Sequence, residues 1–182
     1  KYAPKHHWHI GEKRANDTFF CLDTHLKTSI NSVIIEFYKQ HTGLESAYFT
    51  YWNAIKIKYL QKQISYLKQI PFSDFSVFKT ILTSIPEKYQ LQLANSSTIR
   101  YAQLFYIKES VHVFCNRGTS GIDGSTSTAI GASQNEKNPT LLITGDLSFF
   151  YDSNALWNDY MRPNFRIIVI NNNGGGIFRI LP

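Results

Sequence analysis

Methionine is nearly missing from these 182 residues: Met161 is the only one, and the first residue is Lys1. The sequence therefore reads as an internal piece of a longer chain. It also stops at Leu181-Pro182, just past a glycine-rich turn where a helix is expected. Cysteine is confined to Cys21 and Cys115, which excludes a disulfide framework and predicts two buried thiols in a reducing, cytoplasmic setting. No apolar run approaches the roughly 18 residues of a membrane-spanning helix, and no signal peptide, internal repeat or low-complexity stretch is visible. Acidic residues are the scarcer charge, 13 Asp/Glu against 19 Lys/Arg. The basic surplus does not gather around the glycine-rich loops. Residues 1–90 hold 12 Lys/Arg against 7 Asp/Glu, and residues 91–182 hold 7 against 6. Much of it falls on Lys56, Lys58, Lys62 and Lys68, the solvated face of an amphipathic stretch, so no nucleic-acid partner is expected.

What is present supports a folded core. Hydrophobic residues make up 43% and aromatics 15%, too much for a disordered chain. Residues 1–42 read as irregular. Within them Lys5-His6-His7-Trp8-His9 clusters histidine, but an alternating strand sets His7 and His9 on one face with no neighbouring carboxylate or cysteine to complete a metal shell. Ile34, Ile35, Phe37 and Tyr38 suggest a short helix before the turn at Thr42-Gly43. The spacing of Tyr48, Trp52, Ile55, Tyr59, Ile64 and Leu67 predicts one long helix over 44–68, stopped by Pro71. Ser73 is a plausible N-cap for a second helix over 75–85, ended by Pro86.

Beyond residue 90 the rhythm changes. Short apolar strands at 90–94, 111–115, 140–144 and 166–170 alternate with helices over about 97–107, 122–134 and 147–160. This pattern predicts an α/β fold: a doubly wound, mostly parallel sheet with helices on both faces, incomplete at its C-terminal end. Each strand ends in a polar or glycine-bearing turn: Asn95-Ser96-Ser97, Asn116-Arg117-Gly118, Gly145-Asp146 and Asn171 to Gly176. In such sheets ligands bind at that edge. Asp146 offers a carboxylate and the asparagines offer amide oxygens, hard ligands for an ion of the Mg²⁺ type. Glycines at the same turn let the backbone approach a diphosphate closely. Asp123 and Asp152 read as caps or turn residues.

Asp146 followed 26 residues later by Asn172 resembles the metal-and-diphosphate signature of the thiamine diphosphate enzymes, which opens Gly-Asp-Gly and closes Asn-Asn. Leu147 departs from the last glycine of that opening. The stretches Gly145-Asp146-Leu147-Ser148, Asn116 to Gly124 and Asn171 to Phe178 together are similar to one branch of the family, which acts in menaquinone biosynthesis. The resemblance is close over 94–182, and weaker at His7-Trp8-His9 and Asp17 to Phe20, which look like the end of that branch's middle domain. It implies a domain boundary at 42/43, with residues 1–42 the tail and linker of a preceding domain and 43–182 a truncated cofactor domain.

The resemblance also implies roles. Asp146, the Asn172 side chain and the Gly174 carbonyl would hold Mg²⁺ or Mn²⁺ on thiamine diphosphate, with Gly145, Leu147, Ser148, Ile122 and Phe178 around the cofactor. Ser96, Arg100 and Arg117 would bind substrate. The donor would be 2-oxoglutarate and the acceptor isochorismate; both carry two carboxylates, which suits arginine's planar fork. The parent would be a cytoplasmic transferase and at least a homodimer. A glutamate that activates the cofactor would come from another domain, so no catalytic residue is assigned here and the chain alone should be inactive. Arg179 has no matched family position. Two other readings stay open: an acetolactate synthase or 2-oxo acid decarboxylase type of the same family, and a non-catalytic nucleotide-binding or interaction module.

Overall fold

A computed structural model describes residues 4–43 and 45–176. The chain divides into two compact units, which part between residues 60 and 61. That division falls within a long helix.

The first unit is more regular than its sequence suggested. Strands β1 (His7–Ile10) and β2 (Leu22–Leu26) pair in parallel, with His9 opposite His25. The connection between them is pinned by Asp17, whose carboxylate accepts the Cys21 and Leu22 amides at 2.9 and 3.1 Å. Helix α1 (Ile30–Gln40) follows, capped by Ser29 Oγ on the Ser32 amide. Residues 1–42 are thus a ribbon and a helix, correcting the irregular segment expected. The ribbon escapes sequence reading because a four-residue strand carries little periodicity and its partner lies beyond a long loop. Helix α2 (Tyr48–Leu67) is the predicted long helix, starting a turn later, and buries none of its residues.

In the second unit, α3 (Asp74–Ser84) starts at the expected Ser73 cap, closed into a capping box with Ser76, and stops before Pro86. Four strands follow: β3 (Gln90–Leu93), β4 (His112–Cys115), β5 (Thr140–Gly145) and β6 (Phe165–Ile170). They form one all-parallel sheet in the order β4-β3-β5-β6. Strand alternation sorts the core. Leu91, Leu93, Leu141 and Ile143 pack with Phe78, Leu82 and Ile85 of the α3 region and Ala102. Leu142 and Phe165 pack with Ala129 and Ile130. Each such fully buried side chain contributes roughly 1.5–3 kcal/mol. These two clusters are the helix layers of the doubly wound fold.

The helices between strands are shorter than expected. Helix α4 spans Ser97–Ala102. Helix α5 (Ser125–Gln134) waits until after Gly124, whose left-handed φ of 71° interrupts the helical path. The single helix expected over 147–160 is instead α6 (Asp146–Tyr151) and a 3₁₀ turn (Ser153–Leu156). At the break, buried Asp152 accepts the Ser127 amide at 2.7 Å and its hydroxyl at 3.0 Å, capping α5 from a distance; the sequence marked it only as a cap or turn residue.

Candidate functional site

The strand order creates the site. The chain leaves β3 for β4 on one side, and leaves β5 for β6 on the other. The departing connections therefore part between β3 and β5, and a crevice opens at their carboxyl ends. A cleft of about 290 Å³ lies there. Ser96, Arg100, Arg117, Ile122, Gly145, Asp146, Leu147, Ser148 and Asn172 all line it. These residues come from the tips of all four strands. Phe178 and Arg179 lie outside the described residues.

Asp146 begins α6 directly after β5. Its Oδ1 accepts the Leu147 amide at 2.7 Å, and its Oδ2 accepts the Gly174 amide at 2.7 Å. The loop after β6 is thereby clasped to the tip of β5. It reaches that position through three successive left-handed residues, Asn173, Gly174 and Gly175, at φ 63°, 73° and 58°. A β-carbon on Gly174 would make only an ordinary contact, 3.4 Å from Leu147 Cδ2, so the left-handed backbone is what calls for glycine there. The Asn172 amide nitrogen donates to Asp74 Oδ2 at 2.9 Å. Ser148 Oγ donates to the Ile122 carbonyl, tying α6 to the loop that follows β4.

This donor set fits a small divalent cation. Asp146 and Asn172 line the cleft from adjacent strand tips, and a carboxylate, a side-chain amide oxygen and a glycine carbonyl are all hard oxygens. Among the described residues no group of three or more His, Cys, Asp or Glu gathers for a metal, so any site here depends on the amide and the backbone. The N-terminal histidines do not supply another. His6 pairs with Asp23 at 2.9 Å, His7 Nδ1 lies 3.9 Å from Asp17, and the His9 ring meets His25 edge-on. Two carboxylates thus do stand near these rings, contrary to the sequence reading, but each faces a separate histidine and only Asp23 is hydrogen-bonded. The His6 partner holds the Asp23 carboxyl below its ordinary range.

The opposite wall of the cleft is cationic. Arg117 donates to the Asn95 side-chain oxygen, and the Asn95 amide donates to the Gly121 carbonyl at 3.1 Å. Asn95, 5% exposed, therefore fastens both the arginine and the loop around Ile122. Cys115, on the strand that leads to Arg117, is a free thiol like Cys21. Both are half-buried. Burial pushes the Cys115 thiol above its ordinary value, with the Arg117 cation opposing. Asn95, Ser97, Thr98, Ser120, Gly175 and Gly176 also line the cleft; the sequence assigns none of them an individual role, although Asn95, Ser97, Gly175 and Gly176 fall in the strand-end turns. Asn95 carried a signal, as the first polar residue after an apolar strand.

Comparison with known proteins agrees with this geometry. Residues 95–181 match the family described as "Thiamine pyrophosphate enzyme, C-terminal TPP binding domain". The whole chain is 58% identical to a third of the Flavobacterium psychrophilum protein named 2-succinyl-5-enolpyruvyl-6-hydroxy-3-cyclohexene-1-carboxylate synthase (182 residues; 100% of this chain, 33% of that protein). It is 53% identical over 182 residues to the synthase of that name from Flavobacterium johnsoniae (100% and 33%). With that from Christiangramia forsetii it shares 55% over 181 residues (100% and 31%). The chain spans about a third of the length of these curated relatives.

Proposed function

We propose that the chain belongs to the thiamine pyrophosphate enzymes, whose C-terminal TPP-binding domain matches residues 95–181, and that it is the cofactor-anchoring part of a larger transferase. That transferase decarboxylates 2-oxoglutarate and adds the remaining four-carbon unit to isochorismate, in menaquinone biosynthesis. The observation that carries this reading is the clasp of Asp146 on the Gly174 amide at 2.7 Å, in a cleft that also takes in Asn172, Arg100 and Arg117. The name of the similar synthases supports the particular reaction.

Each residue then has a task. Asp146, the Asn172 side-chain oxygen and the Gly174 carbonyl hold Mg²⁺ or Mn²⁺. Gly145, Leu147 and Ser148 present backbone to the diphosphate end, and Ile122 supplies an apolar wall. Thiamine diphosphate, when bound, supplies the electron sink that lets carbon dioxide leave a 2-oxo acid. Arg100 and Arg117 pair with substrate carboxylates, and Ser96 adds a hydrogen bond. Two guanidinium groups at the cleft favour dicarboxylates over pyruvate, because a second carboxylate gains a charge-assisted pair that pyruvate cannot make. The glutamate that activates the cofactor belongs to another domain of a homodimeric, cytoplasmic enzyme.

The test is calorimetry of thiamine diphosphate binding to the full-length protein, with and without Mg²⁺. Asp146→Ala removes the one carboxylate of the set and should abolish the Mg²⁺-dependent part of binding. Equal metal dependence in variant and wild type would refute the assignment. Turnover of pyruvate in preference to 2-oxoglutarate with isochorismate would overturn the substrate reading alone.

A further inference from the structure

We propose that Asp74 is a positioning residue for the metal site, acting by fixing which way the Asn172 amide faces. The inference rests on the reading of Asn172 as a metal ligand. Asp74 Oδ2 stands 2.9 Å from Asn172 Nδ2, across 98 residues of sequence. An ionised carboxylate only accepts hydrogen bonds, so it selects the NH₂ end of the amide and turns Oδ1 to the other side. Without it, both orientations of the amide are open, and one of them presents hydrogens to a cation.

Asp74 is well placed to hold that choice. It is the first residue of α3, where a helix N-terminus favours negative charge. The Ser73–Ser76 capping box fixes this end, with the Ser73 amide on Ser76 Oγ at 3.0 Å. The helix is anchored by Phe78 and Leu82, 1% and 2% exposed. Phe75, the next residue, packs its ring against Phe105 at 4.9 Å. The Asp74 charge is felt nearby: together with burial, the larger cause, it raises the Tyr101 phenol above its ordinary value. The carboxylate also adds negative charge close to a divalent ion without touching it, as outer partners of metal ligands do.

The experiment is a Mg²⁺ titration of thiamine diphosphate binding to the full-length protein, followed by calorimetry, for wild type, Asp74→Ala, Asp74→Asn and Ser73→Ala. Removing an outer partner of a metal ligand typically costs about 10–100-fold in metal affinity. Asp74→Ala should raise the Mg²⁺ midpoint by that factor. Asp74→Asn keeps the size of the side chain but can meet Asn172 with either end, and should raise the midpoint several-fold without loss of fold. Ser73→Ala weakens the same helix end without touching Asn172. It should lower the denaturation midpoint and leave the Mg²⁺ midpoint in place. Wild-type Mg²⁺ midpoints in both Asp74 variants, or an equal shift in Ser73→Ala, would overturn the inference. Asp146→Ala, run alongside, separates the two failures. Loss of metal dependence there with none in the Asp74 variants rejects this role for Asp74 alone, whereas metal dependence retained in Asp146→Ala rejects the metal site itself.

Discussion

Asn95 holds two parts of the cleft at once, and its removal should be felt in both. Asn95→Ala leaves the Arg117 guanidinium without its carbonyl partner and the Gly121 carbonyl without its donor. Hydrogen bonds to charged groups are worth about 1.5–3 kcal/mol, so chemical denaturation should show a loss in that range. Thiamine diphosphate affinity at saturating Mg²⁺ should fall less than in Asp146→Ala, because the carboxylate clasp is untouched. At this scale the sequence was readable where a residue's chemistry announces itself. A carboxylate at one strand tip and an amide followed by glycines at the next mark the ligand-binding edge, and the cleft lies there. Asn95 and Asp74 were not readable in the same way. Their partners lie 22 and 98 residues away, and only the folded chain brings them together.

At the scale of elements, strand positions were legible to within a residue, because each strand is a short run between polar or glycine-bearing turns. Helix ends were less so. Sequence periodicity continues smoothly through 122–125 and 147–160, whereas the backbone does not. Gly124 takes a left-handed conformation, and Asp152 leaves its own segment to cap α5. That cap makes a prediction. Asp152→Ala should destabilise the second unit by about 1–2 kcal/mol, the usual cost of a lost N-terminal cap, read as a lower denaturant midpoint. Asp152→Asn retains an acceptor and should recover most of it. The parallel ribbon of β1 and β2 was missed for the opposite reason: each strand is too short to show a period, and parallel pairing across a long loop leaves no turn signature.

For the molecule as a whole, the chain is a third of its relatives' length, and large side chains of α2 such as Tyr48, Phe49 and Tyr51 are 70%, 76% and 62% exposed. Exposed apolar surface of this kind promotes association. The isolated 182-residue chain is expected to show no turnover with 2-oxoglutarate and isochorismate. It should bind thiamine diphosphate more weakly than the full-length protein, and increase in sedimenting mass with concentration. Turnover by the chain alone would contradict the proposed division of labour among domains. The parting of connections between β3 and β5 has a further consequence. The arginine-bearing turns leave β3 and β4, while the carboxylate- and amide-bearing turns leave β5 and β6. On the proposed assignment, substitutions in one half of the sheet would retune the choice of reactant while the other half keeps its hold on the coenzyme.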